Sequence, residues 1–326
     1  MIIRALALCA WLCSSVCFGE RLAEADEAAL RMERVGAIIE APELSCYLES
    51  LTLRLFPELS GSLTIKVVAH PSANAFSLGD DRIFVHSGLF LRVHREAELA
   101  AILAHEGAHL WHRHESENTN EARRNEAEAD RTAITRLRSA GIPVRYGADL
   151  FQRLMQERET FGFRRRAAAV THPDLDNRSR RWLEADERPQ SQWKDPSDWS
   201  QLLLSVREVT LRQLLDRQEH ERLVFLLDQE GLGYAGPDRD LALAHALQAR
   251  NAPGDRTRAA GIYARLIDTE QGVPEAFSSQ ARLFLRSGRL HEANMAFRRY
   301  LERSTDPQGR RWAEHYVAWL ESQASP

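Results

Sequence analysis

Residues 96–114 read EAELAAILAHEGAHLWHRH. Ala, Leu and Glu dominate, so the stretch predicts a helix over 97–114. Inside it stand His105-Glu106-Gly107-Ala108-His109. At roughly 100° per residue, positions i and i+4 are about 40° apart around the axis. His105 and His109 can therefore hold one metal ion from a single face. Glu106 projects beside that face, within reach of a water on the ion but not as a ligand. With 12 histidines in the chain the pentad alone is weak evidence, and its surroundings decide.

Downstream, residues 125–130 read NEAEAD within a predicted helix over 121–137, ended by Gly141 and Pro143. Glu126 and Asp130 are four apart and share a face. A catalytic zinc ion takes three protein ligands and keeps one position open. Glu126 would complete a His-His-Glu set, and Asp130 could orient a ligating imidazole. Two neutral imidazoles and one carboxylate leave such a site positive, so the ion stays a Lewis acid.

Around this centre the pattern predicts helices over 21–39 and 45–55, the latter stopped by Pro57, and a further helix over 149–158. A β-type run covers 63–69, and two short strands flank the turn Gly79-Asp80-Asp81. The strand over 82–86 precedes the ligand helix and is expected to be an edge that pairs with extended substrate. Trp111 reads as core, and His112 and His114 as decoration of a solvent face. His70, His86, His94 and the four C-terminal histidines read as structural. The polar segment RPQSQWKDPSDWS, residues 188–200, reads as a linker. Beyond it Leu247, Ala259, Tyr263 and Leu266 recur 34 residues later as Ala281, Ala293, Phe297 and Tyr300. Ala281 is the small residue at the eighth position of the second copy, Ala259 and Ala293 hold the twentieth, and Phe284 and Gly288 stand at further signature positions. That period predicts stacked helix pairs with a concave peptide-binding face.

The 326 residues are 44% hydrophobic and 28% charged, with a net charge of −4. This excludes a multi-span membrane protein, a disordered chain and a nucleic-acid binder. Only Lys66 and Lys194 among the 43 basic residues are lysine, an imbalance read as codon bias. Residues 1–19 combine Arg4, an apolar run from Ala5 to Phe18, and small residues before Glu20, which predicts a cleaved export signal and a periplasmic location. The run is too short to span a bilayer, so no transmembrane span is expected in the mature chain. Cys9, Cys13 and Cys17 would leave with it, stranding Cys46 without an internal disulfide partner.

NAFSLGDDRIFVHSGLF (74–90), the ligand helix, NEAEAD and THPDLDNR (171–178) together resemble the gluzincin family of the type I CAAX prenyl protease. The closer likeness is to its periplasmic branch, the beta-barrel assembly-enhancing protease type with C-terminal tetratricopeptide repeats. The resemblance implies one Zn2+ per chain on His105, His109 and Glu126, with Glu106 as general base and Asp130 as a supporting or proton-donating residue. Glu128 is the competing third ligand, but the family pattern puts the ligand four residues before the Asp. His172 and Arg178, which bound His-Pro-x-x-x-x-Arg, are implied near the site, in regulation or oxyanion stabilisation. Gly107 departs from the family's usual bulky residue and should cost the helix about 0.5–1 kcal/mol. The 17-residue step from His109 to Glu126 is also shorter than exported relatives often have.

The expected architecture is mainly α with a small β-sheet. A zincin-like α+β domain over 20–188 and a linker over 189–200 precede an all-α tetratricopeptide-like solenoid over 201–326. The expected activity is a zinc metalloendopeptidase of the cell envelope, acting on unfolded or misassembled polypeptides in outer-membrane protein quality control. Its repeat domain would hold clients or assembly partners. The alternative is a non-proteolytic chaperone or scaffold whose metal site is structural or latent, with His172 as fourth ligand.

Overall fold

The computed structural model describes residues 31, 37–78, 81–114, 119–162, 175–186, 193–229, 234–269 and 272–324. The export signal, most of the helix predicted over 21–39, the Gly79-Asp80 turn and His172 lie outside them. Among the described residues the chain is mainly α with one four-stranded sheet, as expected. It divides into two compact units, residues 1–213 and 214–326.

The first unit is built around one helix. The sheet comprises β1 (Ile38–Ile39), β2 (Thr64–Val68), β3 (Ala75–Leu78) and β4 (Arg82–His86), in the order β1-β2-β4-β3. β1 corrects the helix expected to reach Ile39: Ile38 and Ile39 pair antiparallel with Val68 and Val67. Two β-branched residues at the end of a helical pattern satisfy their backbone better on an open sheet edge. β2 and β4 run parallel, and β3 returns antiparallel on β4. Ile65, Val67, Ile83 and Val85 alternate onto the inner face and are almost wholly buried. The strand over 82–86 is therefore interior, not the expected edge; in the sheet order β3 takes the outer place.

Helix α1 (Pro42–Leu55) and helix α2 (Glu96–His112) pack in this core, where α2 buries nearly its whole surface from Ala97 to Ala108. A helix buried at its start must satisfy its first amides. Glu98 accepts the His94 amide at 2.7 Å, and Asp195 accepts the Glu96 amide at 2.9 Å. Trp193 Nε1 donates to Glu96 at 3.1 Å. Part of the segment read as linker thus caps the central helix. Next come α3 (Thr119–Ser139), α4 (Arg145–Phe161), α5 (Leu175–Glu184), α6 (Trp199–Leu202) and α7 (Leu204–Asp216).

The division falls later than the boundary read at 200, because α7 is tied back to the sheet side. The fully buried Arg207 donates to the carbonyls of Phe90 at 2.9 Å and Val93 at 3.1 Å. Thr210 donates to Ser87, and Gln213 to the Ala69 carbonyl.

The second unit is a run of helices: α8 (His220–Leu227), α9 (Pro237–Arg250), α10 (Asp255–Ile267), α11 (Pro274–Arg286), α12 (Leu290–Arg303) and α13 (Pro307–Ala324). Each of α9 to α13 packs on the next. The eight residues recurring at 34-residue spacing are all nearly inaccessible. Prolines in the first turn of α9 and α11 fit there because those amides have no partner inside the helix. No helix among the described residues is long and apolar enough to cross a membrane.

Candidate metal centre

α2 delivers both imidazoles as the four-residue spacing requires. Their Nε2 atoms stand 3.1 Å apart. Glu126 of α3 closes the triangle, with one carboxylate oxygen 3.4 Å from His105 Nε2 and the other 3.4 Å from His109 Nε2. Metal–ligand bonds of about 2.0–2.2 Å in a tetrahedron put donor atoms roughly 3.3–3.6 Å apart. Two imidazole nitrogens 3.1 Å apart, each 3.4 Å from a different oxygen of one carboxylate on a second helix, therefore lie close to the ligand spacing of a zinc-type ion. The exposed Glu128 belongs to a different group, described below.

Of the three candidate ligands His105 and Glu126 are buried, 1% and 8% exposed, and His109 is partly buried. Burial, opposed by the Glu126 carboxylate, lowers the His109 pKa to about 4. His109 is thus neutral at pH 7, with a lone pair available to an ion. Asp130 stands behind His105, with Oδ1 3.2 Å from Nδ1. Burial alone would raise the Asp130 pKa, but Arg178, His105 and Arg181 outweigh it and hold the group well below the usual carboxylate range. Arg178 Nε donates to Asp130 Oδ1 at 3.1 Å, and Arg181 Nη2 lies 3.2 Å from Oδ2. The Arg178 guanidinium is buried over the Phe151 ring. Glu106 is 2% exposed and close enough to His109 to favour its charged form.

Gly107 has a packing reason. A Cβ there would stand 2.7 Å from the ring of Phe56, which is wholly buried. Burying a Phe side chain contributes about 1.5–3 kcal/mol, more than the helix loses to glycine.

Two sequence expectations need correction. Trp111 is 42% exposed and not core, because its position on α2 faces outward; the Arg136 guanidinium lies 5.0 Å over its ring. Nor is His114 mere surface decoration. Arg113 adopts a left-handed conformation (φ 53°), and the His114 amide returns to the His109 carbonyl at 3.0 Å, closing a Schellman turn. This folds the His114 ring back, so that its Nδ1 lies 3.0 Å from Nδ1 of His109. His114 Nε2 faces Glu128 at 3.3 Å. His112, His114 and Glu128 form a second group able to hold an ion. Sequence reasoning could have found it only by treating the helix end at Arg113 as a reversal.

Residues 40–122 match Peptidase family M48, a zinc metalloprotease family. The match takes in the His105–His109 pentad and ends before Glu126. Among curated proteins, a Vibrio cholerae protein named as a beta-barrel assembly-enhancing protease is 35% identical over 106 residues, 31% of this chain and 22% of that protein. The beta-barrel assembly-enhancing protease of Escherichia coli O157:H7 is 26% identical over 115 residues, 34% of this chain and 24% of that protein. The matched stretch thus spans less than a quarter of each relative's length.

Proposed function

We propose that this chain is a zinc-dependent metalloendopeptidase of the bacterial envelope. The reading rests on the convergence of His105, His109 and Glu126 at ligand-edge distances within a matched metalloprotease segment. One ion bound there supplies Lewis-acid polarisation of a peptide carbonyl and an activated water. Glu106, buried on the ligand helix, takes the proton of the attacking water and returns it to the leaving amine. Asp130, 3.2 Å from His105 Nδ1, orients that ring so that Nε2 faces the ion; held ionised, Asp130 is a poor proton donor at neutral pH. Arg178 and Arg181 fix Asp130 in turn, which gives Arg178 a supporting role instead of an oxyanion role. His172 remains assigned by its motif alone.

Substrates are extended or misassembled polypeptides. The outer place of β3 in the sheet suits main-chain pairing, which is indifferent to side-chain sequence. The names of the relatives favour clients in outer-membrane protein assembly, with export directed by residues 1–19. Selection falls to the second unit, read as tetratricopeptide-like because its 34-residue equivalents are all core positions. The test is Glu106→Gln. Zinc content should persist while casein degradation falls by about 10²–10⁴-fold. Retained proteolysis would overturn the reading, and an unaltered chain that degrades no casein yet suppresses aggregation would leave a chaperone.

A further inference from the structure

From the group at the end of α2 we infer a second divalent-cation site, formed by His112, His114 and Glu128 and adjoining the first through the His109–His114 ring contact. The inference rests on the reading of His105, His109 and Glu126 as ligands. One donor atom from each of the three residues lies within 4.8 Å of the others. Two imidazoles and a carboxylate are the donors that a zinc-class ion takes. The ring contacts also set which nitrogens are available. His112 Nε2 is engaged with the Thr132 hydroxyl at 2.8 Å, which leaves Nδ1, 3.9 Å from Glu128, as its donor to an ion. His114 uses Nδ1 on His109 and offers Nε2. The Glu128 side chain is 47% exposed, open to an ion from solvent and able to swing onto it.

Equilibrium dialysis of the full chain against Zn2+, with metal quantified, tests this. The unaltered chain should bind two ions. Glu128→Gln and His112→Ala should each bind one. His105→Ala should keep the second ion and lose the first. Equal ion numbers in the unaltered chain and in both Glu128→Gln and His112→Ala overturn the second site. An unaltered chain whose bound ion survives His105→Ala but not His112→Ala overturns the hydrolase reading instead, leaving the second site standing.

Discussion

The two units handle buried charge in opposite ways. Among the described residues of the first, Glu96, Glu98, Glu106, Glu126, Asp130 and Glu157 are buried carboxylates, and Arg92, Arg178 and Arg207 are buried guanidinium groups. In the second, Asp255 is the only buried carboxylate among the described residues, and the other buried polar side chains are Arg222 and three serines. Taking an ion out of water costs several kcal/mol unless partners are placed around it. A unit that only stacks helices needs none of this. A unit that gathers imidazoles and carboxylates within about 3–3.5 Å of each other, as at His105, His109, Glu126 and Asp130, needs a fixed polar surround.

The sharpest way to break this contrast is at the ion. Glu126→Gln removes the carboxylate ligand and should weaken zinc binding and casein hydrolysis by at least roughly 100-fold, beyond the usual cost of losing an outer partner. Chelation should lower the melting transition of the first unit and leave that of the second in place, since an ion stabilises only the unit that binds it. Calorimetry with and without chelator checks both. A shift of the second transition alone would put the ion in the wrong unit.

Next in size is a buried pair away from the centre. Arg92 and Glu157 face each other with side chains 3% and 4% exposed. Glu157→Ala strands a buried guanidinium and should cost about 3–5 kcal/mol in denaturant unfolding. In the second unit, Arg250 opposite Asp255 is 26% exposed and can turn to water. Asp255→Ala should therefore cost only about 1–2 kcal/mol, largely through loss of its bond to the Ala252 amide. Equal costs would erase the distinction between the units.

The ligand helix was readable because a four-residue spacing is a local property. His105 with His109, and Glu126 with Asp130, follow from helical geometry alone. Choosing Glu126 over Glu128 needed the family pattern, since both lie on one helix and only packing turns Glu126 inward. The 34-residue recurrence was readable for a similar reason: small and aromatic residues repeat where successive helices touch. What escaped was non-local. Nothing near Arg207 announces that it reaches Phe90 and Val93, so the first unit was ended too early. Ile38 and Ile39 join a strand some thirty residues away. His114 is recovered by a backbone reversal at Arg113 that composition does not signal.

Gly107 joins the local and the non-local. The helical pattern reads it as a small penalty, whereas the fold uses it to seat Phe56. Gly107→Leu should destabilise the first unit by about 1–3 kcal/mol despite better helix propensity, because the ring has nowhere to move. Combining it with Phe56→Ala should recover part of the loss relative to the sum of the two single changes. Strict additivity in urea unfolding would show that the ring and position 107 do not oppose each other.

The smallest expected effect belongs to the second unit and concerns pH. His245 bonds Ser279 at 2.8 Å, and burial, followed by the nearby Arg282 charge, lowers its pKa to about 4 from the ordinary 6.5. Its folded pKa lies below its unfolded one, so between these values the unfolded chain binds more protons. The associated stability is complete above about pH 6.5 and is lost as pH falls toward 4. Since the ring is partly exposed, about 1 kcal/mol is expected. His245→Gln should flatten the acid slope of the second unit's melting between pH 7 and 4.5 without touching the first. A slope that persists in that variant would assign the acid sensitivity to other groups, and would mean that the second unit conceals more buried charge than its helix stack displays.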